Sequence, residues 1–277
     1  MLRWVITAVS LVFAVVMCFA TGSFESLQWL WVAPVSFAGC FLVIVLIGFV
    51  YLVWLCGRVD QSVPQEEDDP LYRKVANLYI ETALPLLRIH VKKTGLEKVP
   101  TDRRFMLVCN HTNDSDPVIL LYCLPKSQLA FISKKENSTM FVIGPMMHKL
   151  LCQLINREND REALKTILKC IQILKEDKAS IAAFPEGGIN KDKKFHHFRP
   201  GVFKVAQKAN VPVVVCTLKN TKDVIHNLLR FKPSYVEFNV LDVIEPEEFK
   251  GISTVELSER CHSLMDTDLG PELTAED

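Results

Sequence analysis

The sequence predicts an α/β domain, a mixed sheet flanked by helices, preceded by an N-terminal transmembrane hairpin of two helices. Three observations carry that prediction. Residues 4–24 and 26–57 contain no charged side chain, and a membrane-spanning helix needs about 20 predominantly apolar residues. Beyond residue 88, short apolar runs alternate with amphipathic ones, as strands and helices do in a layered sheet. The run YVEFNVLDVI alternates apolar and polar residues, as a strand with one solvated face does.

Residues 1–57 read as the hairpin. The first apolar run also resembles a signal peptide with Arg3 as its charged start, but a second apolar run follows at once. Arg3 precedes the first run, Arg58, Arg73 and Lys74 follow the second, and the connection SFESLQ carries only Glu25. By the positive-inside rule both ends face the cytoplasm. Trp29, Trp31 and Trp54 suit the interfacial belts.

Residues 58–70, RVDQSVPQEEDDP, are polar and acidic and read as a linker to a domain at 71–277. Leu71, Val75, Leu78, Ala83 and Leu86 form a loose helical stripe beside Arg73 and Lys74. Such a helix either lies on a bilayer surface or packs on the domain. RIHVKKTG is extended, RRFMLVCN a strand, PVILLYCL a short helix and LAFIS a second strand. REALKTILKCIQILKE places Leu164, Ile167, Leu168, Ile171 and Leu174 on one helical face. ASIAAFPEGG is a strand ending in a loop, GVFKVAQKAN a helix, VPVVVCTL a buried strand. After YVEFNVLDVI, the helix TVELSERCHSLMD precedes a frayed acidic tail. No internal repeat or low-complexity tract is present.

Composition narrows the function. The net charge is zero, so no basic excess points to nucleic acid. The nine cysteines are odd in number, form no C-x-x-C and sit mostly among apolar neighbours. Buried free thiols fit that pattern better than disulfides or zinc. His196 and His197 are adjacent but lack carboxylate or Cys partners at ligand spacing, so no metal site is expected.

The chemistry concentrates where strands break into turns. In LVCNHTNDSDP, His111 is the side chain able to change charge near neutral pH, and Asp116 stands five residues on. A carboxylate on one imidazole nitrogen orients a general base and stabilises its cation. Asp116 also precedes Pro117, the usual first helical residue, so it doubles as a candidate N-cap. In FPEGG, Gly187 and Gly188 let a ligand approach the main chain, and Glu186 points a carboxylate toward it. Arg157 ends the apolar run in LINR, and arginine forks onto phosphate. Lys134, Lys135, Lys191, Lys193, Lys194 and Arg199 add positive potential. Read singly, each of these has an ordinary surface explanation.

Their order carries more. N-H-x-x-x-x-D, then I-x-R, then F-P-E-G, then V-P-V-V-V resembles the glycerolipid acyltransferase family, over residues from about 88 to 218. The resemblance implies His111 as general base with Asp116 as its partner. It implies Arg157 on the acceptor's phosphate, Glu186, Gly187 and Gly188 at the acceptor, and a basic role for Arg199. The family's third motif usually runs E-G-T-R; here Gly188 and Ile189 stand in the last two places. Either Lys191, Lys193 or Arg199 supplies the missing charge, or the acceptor differs.

The implied activity is acyl transfer from acyl-CoA or acyl-carrier protein to a lysophosphatidic acid-like acceptor at the bilayer, with no cofactor beyond that thioester. A transacylase, another lysolipid acceptor and a catalytically inactive membrane-anchored binding protein are the alternatives. Residues after Leu218 carry no readable motif.

Overall fold

The computed structural model describes residues 2–275. The chain divides into two units, one ending at Asp60 and the other beginning at Gln61.

The first unit holds helices α1 (Leu2–Ala20) and α2 (Trp29–Gly57), both long and apolar enough to cross a membrane. Helix α1 buries Ile6, Ser10, Ala14 and Cys18, one residue per turn. The Ser10 hydroxyl donates to the Ile6 carbonyl at 2.8 Å, as a polar group without water must.

In the second unit, α3 (Pro70–Leu86) leads into β1 (Ile89–Thr94) and β2 (Met106–Val108). Then come α4 (Asp116–Cys123), β3 (Leu129–Lys134), α5 (Ile143–Lys149), β4 (Gln153–Ile155), α6 (Asp160–Lys175) and β5 (Ser180–Ala183). The chain ends with α7 (Lys204–Ala209), β6 (Val213–Lys219), α8 (Val224–Leu229), β7 (Ser234–Ile244) and α9 (Thr254–Leu269).

The seven strands run in the order β1-β7-β6-β2-β5-β3-β4. All neighbours are parallel except β6 and β7, so the sheet is mixed, as expected. Parallel strands covered on both faces need apolar residues throughout, and β2, β5 and most of β6 are buried at every position. Strand β7 keeps its alternation, with Val236, Phe238 and Val240 buried. One core lies under α6, α7 and α9, the other under α3 and α4.

The structure corrects several expectations. The 58–70 stretch is docked on the second unit beyond Asp60. Asp68 pairs with Arg73 at 2.9 Å, both almost fully buried, and Arg73 also donates to the Leu129 carbonyl. Arg73 is thus a structural cation rather than a flank for a bilayer. Asp69 caps α3 by accepting from Leu71 and Tyr72. That helix packs on the domain through Tyr72, Val75, Ala76 and Leu84, while Leu71, Leu78 and Leu86 face outward.

In α6 the buried arc centres on Cys170 and Leu174, with Ile167, Ile171 and Ile173, and leaves Leu164 and Leu168 exposed. The buried arc lies about a quarter turn from the expected stripe, because Cys170 and Ile173 fill the sheet-facing side. The tail is not frayed up to Ala275: Phe195 exchanges backbone hydrogen bonds with Leu273 and Ala275.

Candidate active site

Strand β2 ends at Val108, in the middle of the sheet, and the turn after it carries the first motif. Asn110 extends the ladder with its side chain. Its amide donates to the Leu218 carbonyl at 2.9 Å and its Oδ1 accepts from the Leu218 N–H at 2.8 Å. Farther along, Thr112 Oγ1 meets Thr221 Oγ1 at 2.7 Å and Asn113 donates to the Lys222 carbonyl. The turn is therefore fastened to the loop after β6, and its backbone is held before any ligand arrives.

His111 Nδ1 lies 2.9 Å from Asp116 Oδ2. The same oxygen accepts the N–H groups of Thr112 and Asn113 at 2.8 and 2.9 Å. Asp116 is itself the first residue of α4, and Ser115 occupies the cap position. The carboxylate reaches back into the turn rather than forward into the helix, so the N-cap reading does not hold. An ionised carboxylate only accepts. The shared proton thus sits on Nδ1, and Nε2 keeps its lone pair. Asp116 Oδ1 is buried without a partner, which leaves its charge poorly solvated and sharpens its pull on an imidazolium. Phe184 stacks on the His111 ring, centroids 4.1 Å apart and planes at 17°, which fixes the ring from its face.

Glu186 is buried and works on the loops. Its Oε1 accepts the His111 N–H at 2.8 Å. Its Oε2 accepts the His196 N–H at 3.1 Å and the Asn190 amide at 2.8 Å. Both oxygens are occupied by protein donors, so Glu186 locks the first motif to the 190–196 loop rather than pointing at a ligand. Burial, aided by the nearby Asp116 charge, pushes its pKa up to about 7, against the lowering effect of those three hydrogen bonds.

Two glycines bring cations to the same place. Gly187 has φ 88°, and a Cβ there would fall 2.8 Å from Arg199 Nε, so both backbone and space demand glycine. A Cβ on Gly188 would lie 3.3 Å from Arg157 Nη1 and 3.5 Å from Lys134 Nζ. Arg157, Arg199 and Lys134 thus gather around the FPEGG loop, and none of the three is taken up in an ion pair among the described residues. The Arg157 pKa is lowered by burial and by Arg199, against a smaller opposing pull from Glu136. Lys193 turns away, donating to the Lys222 carbonyl, and Lys191 is exposed. Of Lys191, Lys193 and Arg199, Arg199 is the one that lies against the glycine pair. Lys134 joins it, although its sequence position gave it no more weight than its neighbours.

A cavity of about 350 Å³ opens beside these cations. Ile132, Ile155, Ile167, Ala183 and Val202 give it apolar walls, with Arg157, Arg199 and Lys204 among its polar lining. Its size and mixed lining suit a small-molecule site. Phe184 borders this cavity and stacks on His111, so one ring joins the two halves of the site. The His196 ring binds Asp192 at 2.8 Å and the His197 ring stacks on His262.

Comparison with known proteins adds an independent line. A family model described as Acyltransferase matches residues 90–219. The chain is 33% identical over 159 residues to a chloroplast 1-acyl-sn-glycerol-3-phosphate acyltransferase of Arabidopsis thaliana, covering 55% of this chain and 43% of that protein. It is 27% identical over 173 residues to a 1-acyl-sn-glycerol-3-phosphate acyltransferase of Haemophilus influenzae, covering 61% and 71%. The crystal structure of the 1-acyl-sn-glycerophosphate acyltransferase from Thermotoga maritima superposes with TM-score 0.63 at 24% identity, over 86% of this chain and 93% of that one. That last likeness shows a shared fold. The chain spans less than half the length of the plant relative.

Proposed function

We propose, from the match of residues 90–219 to the acyltransferase family model, that the chain moves a fatty acyl group from a thioester donor to the free hydroxyl of a lysophosphatidic acid-type acceptor, in phospholipid synthesis. The observation that carries this reading is the oriented His111–Asp116 pair, 2.9 Å apart, next to a cluster of unpaired cations.

His111 Nε2 takes the proton from the acceptor hydroxyl as its oxygen bonds to the thioester carbonyl carbon. Asp116 stabilises the imidazolium so formed. The tetrahedral intermediate collapses, the carbon–sulfur bond breaks, and His111 Nε2 gives its proton to the leaving thiolate, so the donor departs as a thiol and the imidazole returns to its neutral state. Arg157, Arg199 and Lys134 bind the acceptor's phosphate, with arginine supplying paired donors. The apolar cavity beside them takes hydrocarbon from one substrate. Glu186 is a positioning residue, holding the His111 backbone. Apolar helices α1 and α2 span the bilayer, and the domain lies on the cytoplasmic face, where Arg3, Arg58 and Lys74 favour it.

The test supplies labelled acyl-CoA, and separately an acyl-carrier protein thioester, with a panel of lysolipid acceptors to the full chain in liposomes. Acylated lysophosphatidic acid made by wild type and lost in His111→Ala is the expected result. Turnover confined to another acceptor would give the Gly188–Ile189 departure a meaning in specificity. Equal turnover by wild type and variant would overturn the role of His111.

A further inference from the structure

Strand direction places three loops at one pole of the sheet. Strands β2 and β6 run parallel, so the His111 turn after β2 and the loop after β6 share that pole. Strand β7 runs antiparallel to β6, and β1 runs parallel to β7, with Ile89 opposite Ser234. The starts of β1 and β7 therefore lie at the His111 pole too, at one edge of the sheet.

That edge is unusual in its surface. Phe231 is 87% exposed, more than any other large apolar side chain among the described residues, and Leu229 is 76% exposed. Leu86 and Leu87 are exposed beside them, tied in through the hydrogen bond from Arg88 Nη1 to the Phe231 carbonyl at 3.0 Å. Arg88, Arg230 and Lys232 are exposed as well. Neither 82–93 nor 224–236 contains an acidic residue.

The backbone holds Phe231 in an unfavourable way. After α8, the Lys232 N–H bonds to the Asn227 carbonyl and the Phe231 N–H to the Leu228 carbonyl. Those are the two bonds of a Schellman cap, whose left-handed residue is usually glycine or asparagine. Here an aromatic residue sits at φ 55°, a conformation bulky side chains rarely adopt. Strain of this kind persists where the surroundings impose it and clusters at functional surfaces. Its effect here is to project a phenyl ring into solvent between two cations.

At the opposite edge of the same pole, Met140 and Phe141 precede α5 and are also exposed. Apolar outcrops thus flank the site on both sides.

We infer that the helix ends at Leu86–Leu87 and Leu229–Phe231 form an interfacial docking surface for an anionic phospholipid bilayer, which seats the His111 pole against the membrane independently of the two apolar helices. Aromatic and aliphatic tips enter the acyl boundary while Arg88, Arg230 and Lys232 meet anionic headgroups. Binding to the bilayer stands apart from the proposed activity; its benefit to turnover rests on that reading.

The test uses the full chain in nanodiscs of phosphatidylcholine with or without phosphatidylglycerol, and in detergent. Hydrogen–deuterium exchange is followed over residues 84–90 and 225–236. Both segments should gain protection in the anionic discs, and Phe231→Gly combined with Leu229→Ser should abolish that gain. Phe231→Gly alone suits the left-handed backbone, so its thermal midpoint should equal or exceed that of wild type, which separates lost docking from lost folding. With an acceptor in the bilayer the double variant should show a KM raised about tenfold, with turnover of a short-chain monomeric acceptor unchanged.

Identical exchange in detergent and in both discs would overturn the proposal, as would protection that grows with protein concentration and so reports a second copy. Protection without turnover of either acceptor would leave the docking surface standing and defeat the proposed activity.

Discussion

The two halves of the site are built on opposite rules. In the half around His111, every carboxylate oxygen but Asp116 Oδ1 is occupied: Asp116 Oδ2 takes three donors and Glu186 takes three more. In the half around Gly187 and Gly188, three cations converge with no carboxylate in ion pairing. The first half is internally satisfied and rigid, which catalysis of proton transfer requires. The second stores like charges that repel until an anion arrives, which binding requires. Preorganisation and unsatisfied charge are thus divided between neighbouring loops, with Phe184 between them.

The largest expected effect breaks the first half. His111→Ala should lower kcat by about 10³- to 10⁴-fold, with KM for the acceptor little changed, measured by initial rates on the reconstituted chain. Asp116→Asn should come next, at about 10²- to 10³-fold in kcat, because the amide no longer holds the imidazolium. Breaking the second half should look different. Arg157→Ala should raise the acceptor KM by about 10- to 100-fold, as loss of one charge-assisted contact implies, with a smaller change in kcat. Lys134→Ala should do the same more weakly. Equal losses in kcat from both halves would erase the division of labour.

The smallest effect sharpens the comparison through pH. Glu186 has a pKa of about 7 against an ordinary 4.5, so the folded chain binds more protons than the unfolded one between those values. Its contribution to stability is fully present below about pH 4.5 and is lost as pH rises through 7, to the extent of about 3 kcal/mol. Glu186→Gln should therefore flatten the fall in apparent Tm of the second unit between pH 5 and pH 8. A variant with the same slope as wild type would show that Glu186 is not the titrating group.

Much of this was legible along the chain, for local reasons. The strand at 106–108, the turn with His111 and Asp116, the glycine pair and the buried VVV run each announce themselves within a few residues. What failed were readings that depend on neighbours. The α6 stripe was misplaced because Cys170 and Ile173 face the sheet and Leu164 does not. Asp116 beside Pro117 suits a capping role in sequence, but the turn's own N–H groups claim its carboxylate. The tail looked free because its partner, Phe195, lies far away in sequence. The loops at 86–88 and 229–232 had no motif, and only parallel pairing of β1 with β7 brings them together.

By itself, the sequence determined the apolar helices, six of the seven strands and the pairing of His111 with Asp116, since each rests on hydrophobic period or on side chains five residues apart; the short β4 was read only as an apolar run. Tertiary structure alone decided which cations meet at the glycines. Lys134 ends β3, Arg157 follows β4 and Arg199 lies beyond β5, and their meeting depends on those three strands lying side by side. Sheet order is set by how two faces bury their apolar area together, a global balance that no local run of residues encodes.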